Sequence, residues 1–287
     1  MRGLAEYVMK GRSQAILVAV FATGTVLFAW IGAAVLALVT LSKGSSQSSH
    51  VLLWAMLPAI AVAAMGDTGP VTTLFGVMLA SIVLRSTTSW SWALIAAVVS
   101  GVVTAFVLLT FGRGYIEEIL RLFSEVLSQL AAQPESDAKQ LAAIQPTAMQ
   151  VAGLLGLSNA FTVVMCLILA RWWQSVLYNP GGFRQEFHNL RLAPQLSIAL
   201  LVVGLALSLI GPDYRLWGAI VALPFVFTGF ALIHGLAAQR HMNSGWLLMF
   251  YISWLLFEPV KGGLLVLAVA DSWIDIRGRL ARSQKPD

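Results

Sequence analysis

Few residues in this chain could do chemistry, and most of them sit inside apolar surroundings. Glu258 and Lys261 stand three apart in Glu258-Pro-Val-Lys-Gly-Gly263, within a long hydrophobic stretch. That spacing sets both on one helical face as a mutually neutralising pair. Charge at the bilayer centre costs ~2.5–3.5 kcal/mol on the lenient insertion scale, so such a pair is a functional candidate by default. It reads either as a coupling or ligand site beside Pro259, or as a break between half-helices with both side chains reaching for the interface. His234, in Phe230-Ala-Leu-Ile-His-Gly-Leu236, and Asn159 pose the same choice between ligand contact and interhelical hydrogen bonding. Asp67, in Gly-Asp-Thr-Gly-Pro, reads as a turn residue.

Known catalytic spacings are missing. No Gly-x4-Gly-Lys-Ser/Thr phosphate loop occurs, and the four histidines, His50, His188, His234 and His241, form no His-Glu-x-x-His string. Nothing resembles a Gly-x-Ser-x-Gly nucleophile elbow. Cys166 is the only cysteine, inside an apolar run, which excludes an intramolecular disulfide and a cysteine-based metal cluster. The expectation is a protein that is not an enzyme, with no catalytic residue, no metal and no cofactor.

The elements that must position these residues follow from composition. Of 287 residues, 58% are hydrophobic and 11% charged, with a mean hydropathy of +0.81. A soluble domain has roughly 25% charged residues, so this composition excludes a water-soluble globule. Apolar segments run over 15–42, 51–66, 69–84, 91–111, 149–173, 195–211, 216–238 and 245–270, with short polar connections. Helices satisfy their own backbone in lipid, and no short alternating segments suggest a barrel. The expected fold is all-α: a polytopic helical membrane bundle of about seven or eight segments in one integral membrane domain, 1–287.

Two stretches depart from that pattern. Residues 112–148 carry five acids (Glu117, Glu118, Glu125, Glu135, Asp137) against Arg113, Arg121 and Lys139. Ile116, Ile119, Leu120, Phe123, Val126, Leu127 and Leu130 recur there at helical spacing, an amphipathic acidic insert. A second, weaker helix is expected between Pro134 and Pro146. In 179–192, Phe183, Phe187 and Leu190 share one helical face and Arg184, His188 and Arg191 another, which reads as a short basic amphipathic helix at the cytoplasmic interface, a candidate partner face. The tail from Asp271 to Arg282 pairs two acids four apart with Arg277 and Arg279 and reads as a solvated, surface-lying helix end open to a partner or anionic lipid.

Packing signals are stronger than chemical ones. Ala93, Ala97, Gly101 and Ala105 form a small-xxx-small ladder beside Ala96, Ser100 and Thr104, a face for close helix approach within the bundle or to a partner. Trp90, Trp92, Trp172, Trp173, Trp217, Trp246 and Trp273 lie near segment ends, where interfacial anchoring accounts for them.

The net charge of +5 lies beside hydrophobic segments and no loop interleaves bases with stacking aromatics, so nucleic acid is not an expected partner. Arg2, Lys10 and Arg12 precede an apolar stretch too long for a signal peptide, which predicts a retained anchor with a cytoplasmic N-terminus. Lys/Arg bias then weighs two topologies. With 15–42 as one span, the basic 179–192 segment falls outside and the acidic insert inside. If 15–42 breaks near Gly24-Thr25 and the last segment doubles back near 258–263, thirteen bases lie inside. Arg113, Arg121, Lys139 and Arg215 then remain outside. The second is preferred, because it also puts the acidic insert in the periplasm and 179–192 in the cytoplasm.

Several strings resemble a known family. Arg2-Gly-Leu-Ala-Glu-Tyr-Val-Met-Lys-Gly-Arg12, Asn179-Pro-Gly-Gly-Phe-Arg-Gln-Glu-Phe-His188, His234-Gly-Leu236, Phe250-Tyr251 and Asp271-Ser-Trp-Ile-Asp-Ile-Arg277 resemble YybS-like bacterial membrane proteins of unknown function, in their proteobacterial branch. The resemblance implies distant kinship with the S-components of energy-coupling-factor transporters and with the rod-shape protein MreD. It implies an inner-membrane protein with an S-component-like core that binds a small ligand or an energising transporter module within the bilayer. The alternative is a non-catalytic envelope scaffold or assembly factor in the manner of MreD. The extra segments and the 112–148 insert depart from a six-helix S-component. On the first view Glu258, Lys261 and His234 would line a cavity.

Overall fold

A computed structural model of the chain describes residues 2–133 and 144–283. Every regular element among them is helical. In order these are α1 (Arg2–Met9), α2 (Arg12–Thr23), α3 (Ala29–Lys43), α4 (Ser45–Ala64), α5 (Gly69–Thr87), α6 (Trp90–Phe111), α7 (Arg113–Ala131), α8 (Ala148–Tyr178), α9 (Gly182–His188), α10 (Pro194–Ile210), α11 (Arg215–Gln239), α12 (Ser244–Leu256), α13 (Glu258–Ile274) and α14 (Ile276–Ser283). The weaker helix expected over 134–146 lies mainly outside the described residues.

Five helical stretches are long and apolar enough to cross a bilayer: α4, α5, α6, α8 and Pro212–Gln239. A sixth is reached if α12 and α13 count as one bent span. That is fewer than seven or eight full crossings, because three apolar segments form helices of 12 to 17 residues, α2, α3 and α10. At 1.5 Å per residue these span ~18–26 Å, short of the ~30 Å hydrocarbon core.

The first apolar stretch is two helices and not one. Gly24 caps α2, Thr25 is extended, and a 3₁₀ turn at Val26–Phe28 leads into α3. The two fold back on each other because position 32 has no side chain: a Cβ on Gly32 would stand 2.4 Å from Thr23 Oγ1 and 2.9 Å from Ala19 O. A second break comes at Phe257, where α12 and α13 meet at 112°. Pro259 suits the first turn of α13, where its missing N–H has no partner to lose.

The centre is α8, 31 residues long, packed on α6, α3, α5 and α11. A capping box starts it: Thr147 Oγ1 accepts from Gln150 N–H, and Gln150 Oε1 accepts from Thr147 N–H, both at 3.2 Å. The α6 ladder faces inward onto α8. A Cβ on Gly101 would lie 2.6 Å from Gly156 O and 2.7 Å from Ala160 Cβ, and one on Gly156 would lie 2.5 Å from Gly101 O. Ala93, Ala97 and Ala105 are buried with it. This stripe is therefore an internal seam, and no partner can reach it without dismantling the bundle.

Both folded-back hairpins bring their ends to one end of the molecule. Lys43 Nζ donates to Met9 O at 3.3 Å. Arg85 donates to the carbonyls of Thr40 and Leu41, and Gln174 to Leu41 O at 3.2 Å, satisfying the orphan carbonyls that close α3. Ser91 Oγ donates to Arg191 O, and Arg277 to Leu190 O. The stretches around 9, 43, 85, 91, 171–191 and 277 therefore share a basic end. Arg113, Arg121 and Arg215, with Asp67, Asp213 and the acids of α7, belong to the other.

Three expectations need correcting. The 179–192 helix is only α9, residues 182–188: Asn189 caps it, and Arg191 lies beyond it on non-helical chain. Trp90, Trp173 and Trp217 are buried and act as core, whereas Trp92 and Trp273 are exposed. The tail from Asp271 is not fully solvated, because Asp271 and Arg277 are buried. In α7 the amphipathic reading stands: Ile116 and Leu127 are buried, while Arg121 pairs with Glu118 and Glu125 on the exposed face. Hydrogen bonding to Arg121 holds the Glu118 carboxyl below its usual range.

Candidate functional site

Three polar constellations stand out among the described residues, and they differ in how completely they are satisfied. The first centres on Asn159, buried on α8. Its Oδ1 accepts from Thr73 Oγ1 at 2.5 Å, and its Nδ2 donates to Ser100 Oγ at 3.0 Å and Thr104 Oγ1 at 2.7 Å. One side chain thus clasps α5 and α6 to α8. Both amide atoms are engaged within the protein, so Asn159 acts as an interhelical tie.

The second is a lock at the basic end. Arg277 donates to Asp271 Oδ2 at 2.6 Å, to Leu190 O at 2.8 Å and to His188 O. Asp271 Oδ1 also accepts from Ile276 N–H at 3.0 Å, which fixes the turn between α13 and α14. Gly235 leaves room for the arginine on α11, since a Cβ there would lie 3.2 Å from Arg277 Cδ and 3.1 Å from His188 O. Charge, carbonyls and a small residue on three elements make this a structural ion pair. The sequence sets Asp271 beside Arg277 but suggests a solvated pair; its burial and the carbonyls of His188 and Leu190 were not foreseen. The signal was Asp271 directly after the apolar run Leu264–Ala270, a place where a carboxylate needs a partner.

The third is the bent hairpin α12–α13. Lys261 Nζ donates to Glu258 Oε1 at 2.5 Å, as the i, i+3 spacing implies. Lys261 also lies 6.0 Å from the Trp254 ring centre. The pair faces outward: the side chains of Glu258 and Lys261 are 82% and 37% exposed. Gly262 and Gly263 beside it have open space where a side chain would go. Depth follows from α13 packing, since Leu264 sits against Gly229, near the middle of α11. Lys261, one turn earlier, is therefore at mid-bundle level.

His234 does not join them. Its Nε2 meets Tyr251 OH at 2.7 Å, and its ring packs edge-on to Phe187 and near His188. Between it and Lys261 stands an aromatic seam, with Phe230 and Trp254 rings 5.1 Å apart. The expected shared cavity of Glu258, Lys261 and His234 is not formed, because the bend at Phe257 turns the pair outward while Tyr251 takes up the histidine. His188, outside the spans, is held below its ordinary pKa by burial, with Arg184, His234 and Arg277 adding like charge. Arg184 itself is exposed.

Among the described residues no group of three or more His, Cys, Asp or Glu is placed to hold a metal. Fold and site together define an all-helical protein of membrane type, with a closed core and one open hairpin. No family model, curated protein or solved structure matches the chain.

Proposed function

We propose that this chain is a non-catalytic inner-membrane protein that holds a transmembrane partner along its α12–α13 hairpin. The carrying observation is the outward Glu258–Lys261 pair at mid-bundle level. An uncovered polar pair at that depth is costly in lipid, and most intramembrane charges face protein. Support comes from α12, which buries none of its residues although it is mostly apolar and carries no charge. The partner's chemistry follows: a transmembrane helix with a polar or charged group at the same depth, able to bond the exposed carboxylate or ammonium. In the YybS-like reading that partner is an energising transporter module. In the MreD-like reading it is an envelope-assembly protein. The positive-inside rule sets the basic end, with the N-terminus, in the cytoplasm and α7 on the periplasmic side.

The test is purification of the tagged protein at native expression in mild detergent, with mass spectrometry of what accompanies it. Wild type should retain a stoichiometric membrane protein, and the neutral pair E258Q/K261M should lose it without a change in melting temperature. Recovery of an ATPase module assigns transport; recovery of envelope-assembly proteins assigns a scaffold. Equal recovery with the double variant, or no partner with wild type, overturns the proposal.

A further inference from the structure

Arg191 differs from Arg171 and Arg277, two other arginines of the basic end. Arg171 is held by both oxygens of Glu186, and Arg277 by a carboxylate and two carbonyls. Arg191 has a single contact, one terminal nitrogen 3.0 Å from Asp275 Oδ1, with the two side chains 38% and 44% exposed. A guanidinium carries five N–H donors in a planar fork, so most of its capacity is free. Three cavities meet at this residue. One of about 600 Å³ is lined by Ser89, Ser91 and Arg191 together with the apolar side chains of Trp92, Leu196 and Ala199, and the Arg191–Asp275 contact lies at the recess beside it. Polar recesses of about 260 and 340 Å³ adjoin it, both bordered by Asn189 and Arg191.

The shape combines a cation, hydroxyls and an apolar wall. The wall is formed by the first turns of α6 and α10, which run from the basic end into the bundle. Trp92 is exposed there, the usual place of an indole at the headgroup level. Arginine binds phosphate through two parallel N–H···O bonds. A polar solute would leave the Trp92–Ala199 wall uncovered, and a hydrocarbon would leave Arg191 unanswered. We infer that this cleft holds one anionic phospholipid of the adjacent leaflet, with its phosphate on Arg191 and an acyl chain against Trp92, Leu196 and Ala199. The headgroup's hydroxyls would occupy the recess between Ser89 and Asn189. This site is separate from the α12–α13 hairpin and does not depend on the partner proposed there.

The experiment is native mass spectrometry of the full chain released from nanodiscs of phosphatidylcholine containing phosphatidylglycerol. Wild type should carry one phosphatidylglycerol. R191Q should raise the apparent Kd for phosphatidylglycerol about tenfold or more across a series of nanodisc compositions, as expected for losing charge-assisted bonds. A199W, which fills the apolar wall and leaves every charge in place, should raise it as well. R184Q, a neighbouring exposed arginine outside the cleft, should not. Asn tolerates the left-handed backbone that Asp275 adopts at φ 49°, so D275N should fold. Freed from its carboxylate, Arg191 should then hold the lipid at least as well as in wild type. Equal retention by R191Q overturns the inference. So does retention unchanged by A199W, or displacement of the lipid by millimolar glycerol 3-phosphate, which would make it a soluble-phosphate site.

Discussion

The α6–α8 seam and the α12–α13 hairpin are built from the same residue types and end in opposite states. Each has glycines in apolar helices and polar side chains at membrane depth. In the seam the glycines bring backbones together, Gly101 facing Gly156, and Asn159 spends its amide on two neighbouring helices. In the hairpin Gly262 and Gly263 face open space, and Glu258 and Lys261 bond only each other. Helices in lipid associate by close packing and interhelical hydrogen bonds, with no hydrophobic force between them. What separates scaffold from working surface is thus whether a second helix has already taken up the small face and the polar group.

That contrast can be tested, beginning with the lock that ties the hairpin to the core. Arg277→Gln leaves Asp271 as a buried, uncompensated carboxylate and frees two carbonyls. A loss of about 3–5 kcal/mol is expected for one partner of a buried pair. Thermal unfolding in detergent should show it as a large drop, against almost none for Arg279→Gln, which is exposed. Equal effects would mean that the hairpin is held by its apolar contacts alone.

Gly101→Leu and Gly262→Leu set the same change on the two regions. At 101 the new side chain meets Gly156 O and Ala160 Cβ, both main packing elements with no room to yield. Overpacking there should destabilise by about 3 kcal/mol. At 262 nothing lies within 4 Å, and a better helix former replaces glycine, so stability should hold or rise by up to about 1 kcal/mol. If Gly262→Leu destabilised as much as Gly101→Leu, the hairpin would be packed in the monomer and the docking proposal would fail.

The breaks were legible because they have local causes. Gly24-Thr25 and Glu258-Pro259 announce chain reversal from residue type alone, and the structure breaks at or beside both. The Ala93–Ala105 ladder was legible as a packing face, but a sequence does not state which helix will cover it. The i, i+3 pair Glu258–Lys261 was likewise local and formed as expected. What failed was longer range. Tyr251 reaching His234 across helices, and Arg277 reaching back to His188 and Leu190, have no periodicity to betray them. The shared cavity of His234 and Glu258 failed for the same reason, because a bend angle of 112° is not encoded in spacing.

The smallest effect lies at the join between the two regions. His188 touches His234, whose other partner is Tyr251 of α12, and it is flanked by Arg184 and by Arg277 of the lock. Its pKa is lowered from the ordinary 6.5, by burial first and then by these like charges. Above pH 6.5 the ring is neutral folded and unfolded, and stability gains nothing from further increase. As pH falls below 6.5 the unfolded chain takes up a proton that the folded protein refuses, so stability declines until the folded value is passed. Other groups also titrate in this range, so the readout is the difference between wild type and His188→Asn. Wild type should lose more melting temperature between pH 7.5 and 5, and amide protection in α12, corrected for the intrinsic exchange rate at each pH, should fall more. Arg184→Gln should shrink that difference in part, having removed one of the like charges. An identical pH dependence in wild type and His188→Asn would show that the join does not sense this ring. The hairpin's attachment would then rest on the Asp271–Arg277 lock and the aromatic seam alone.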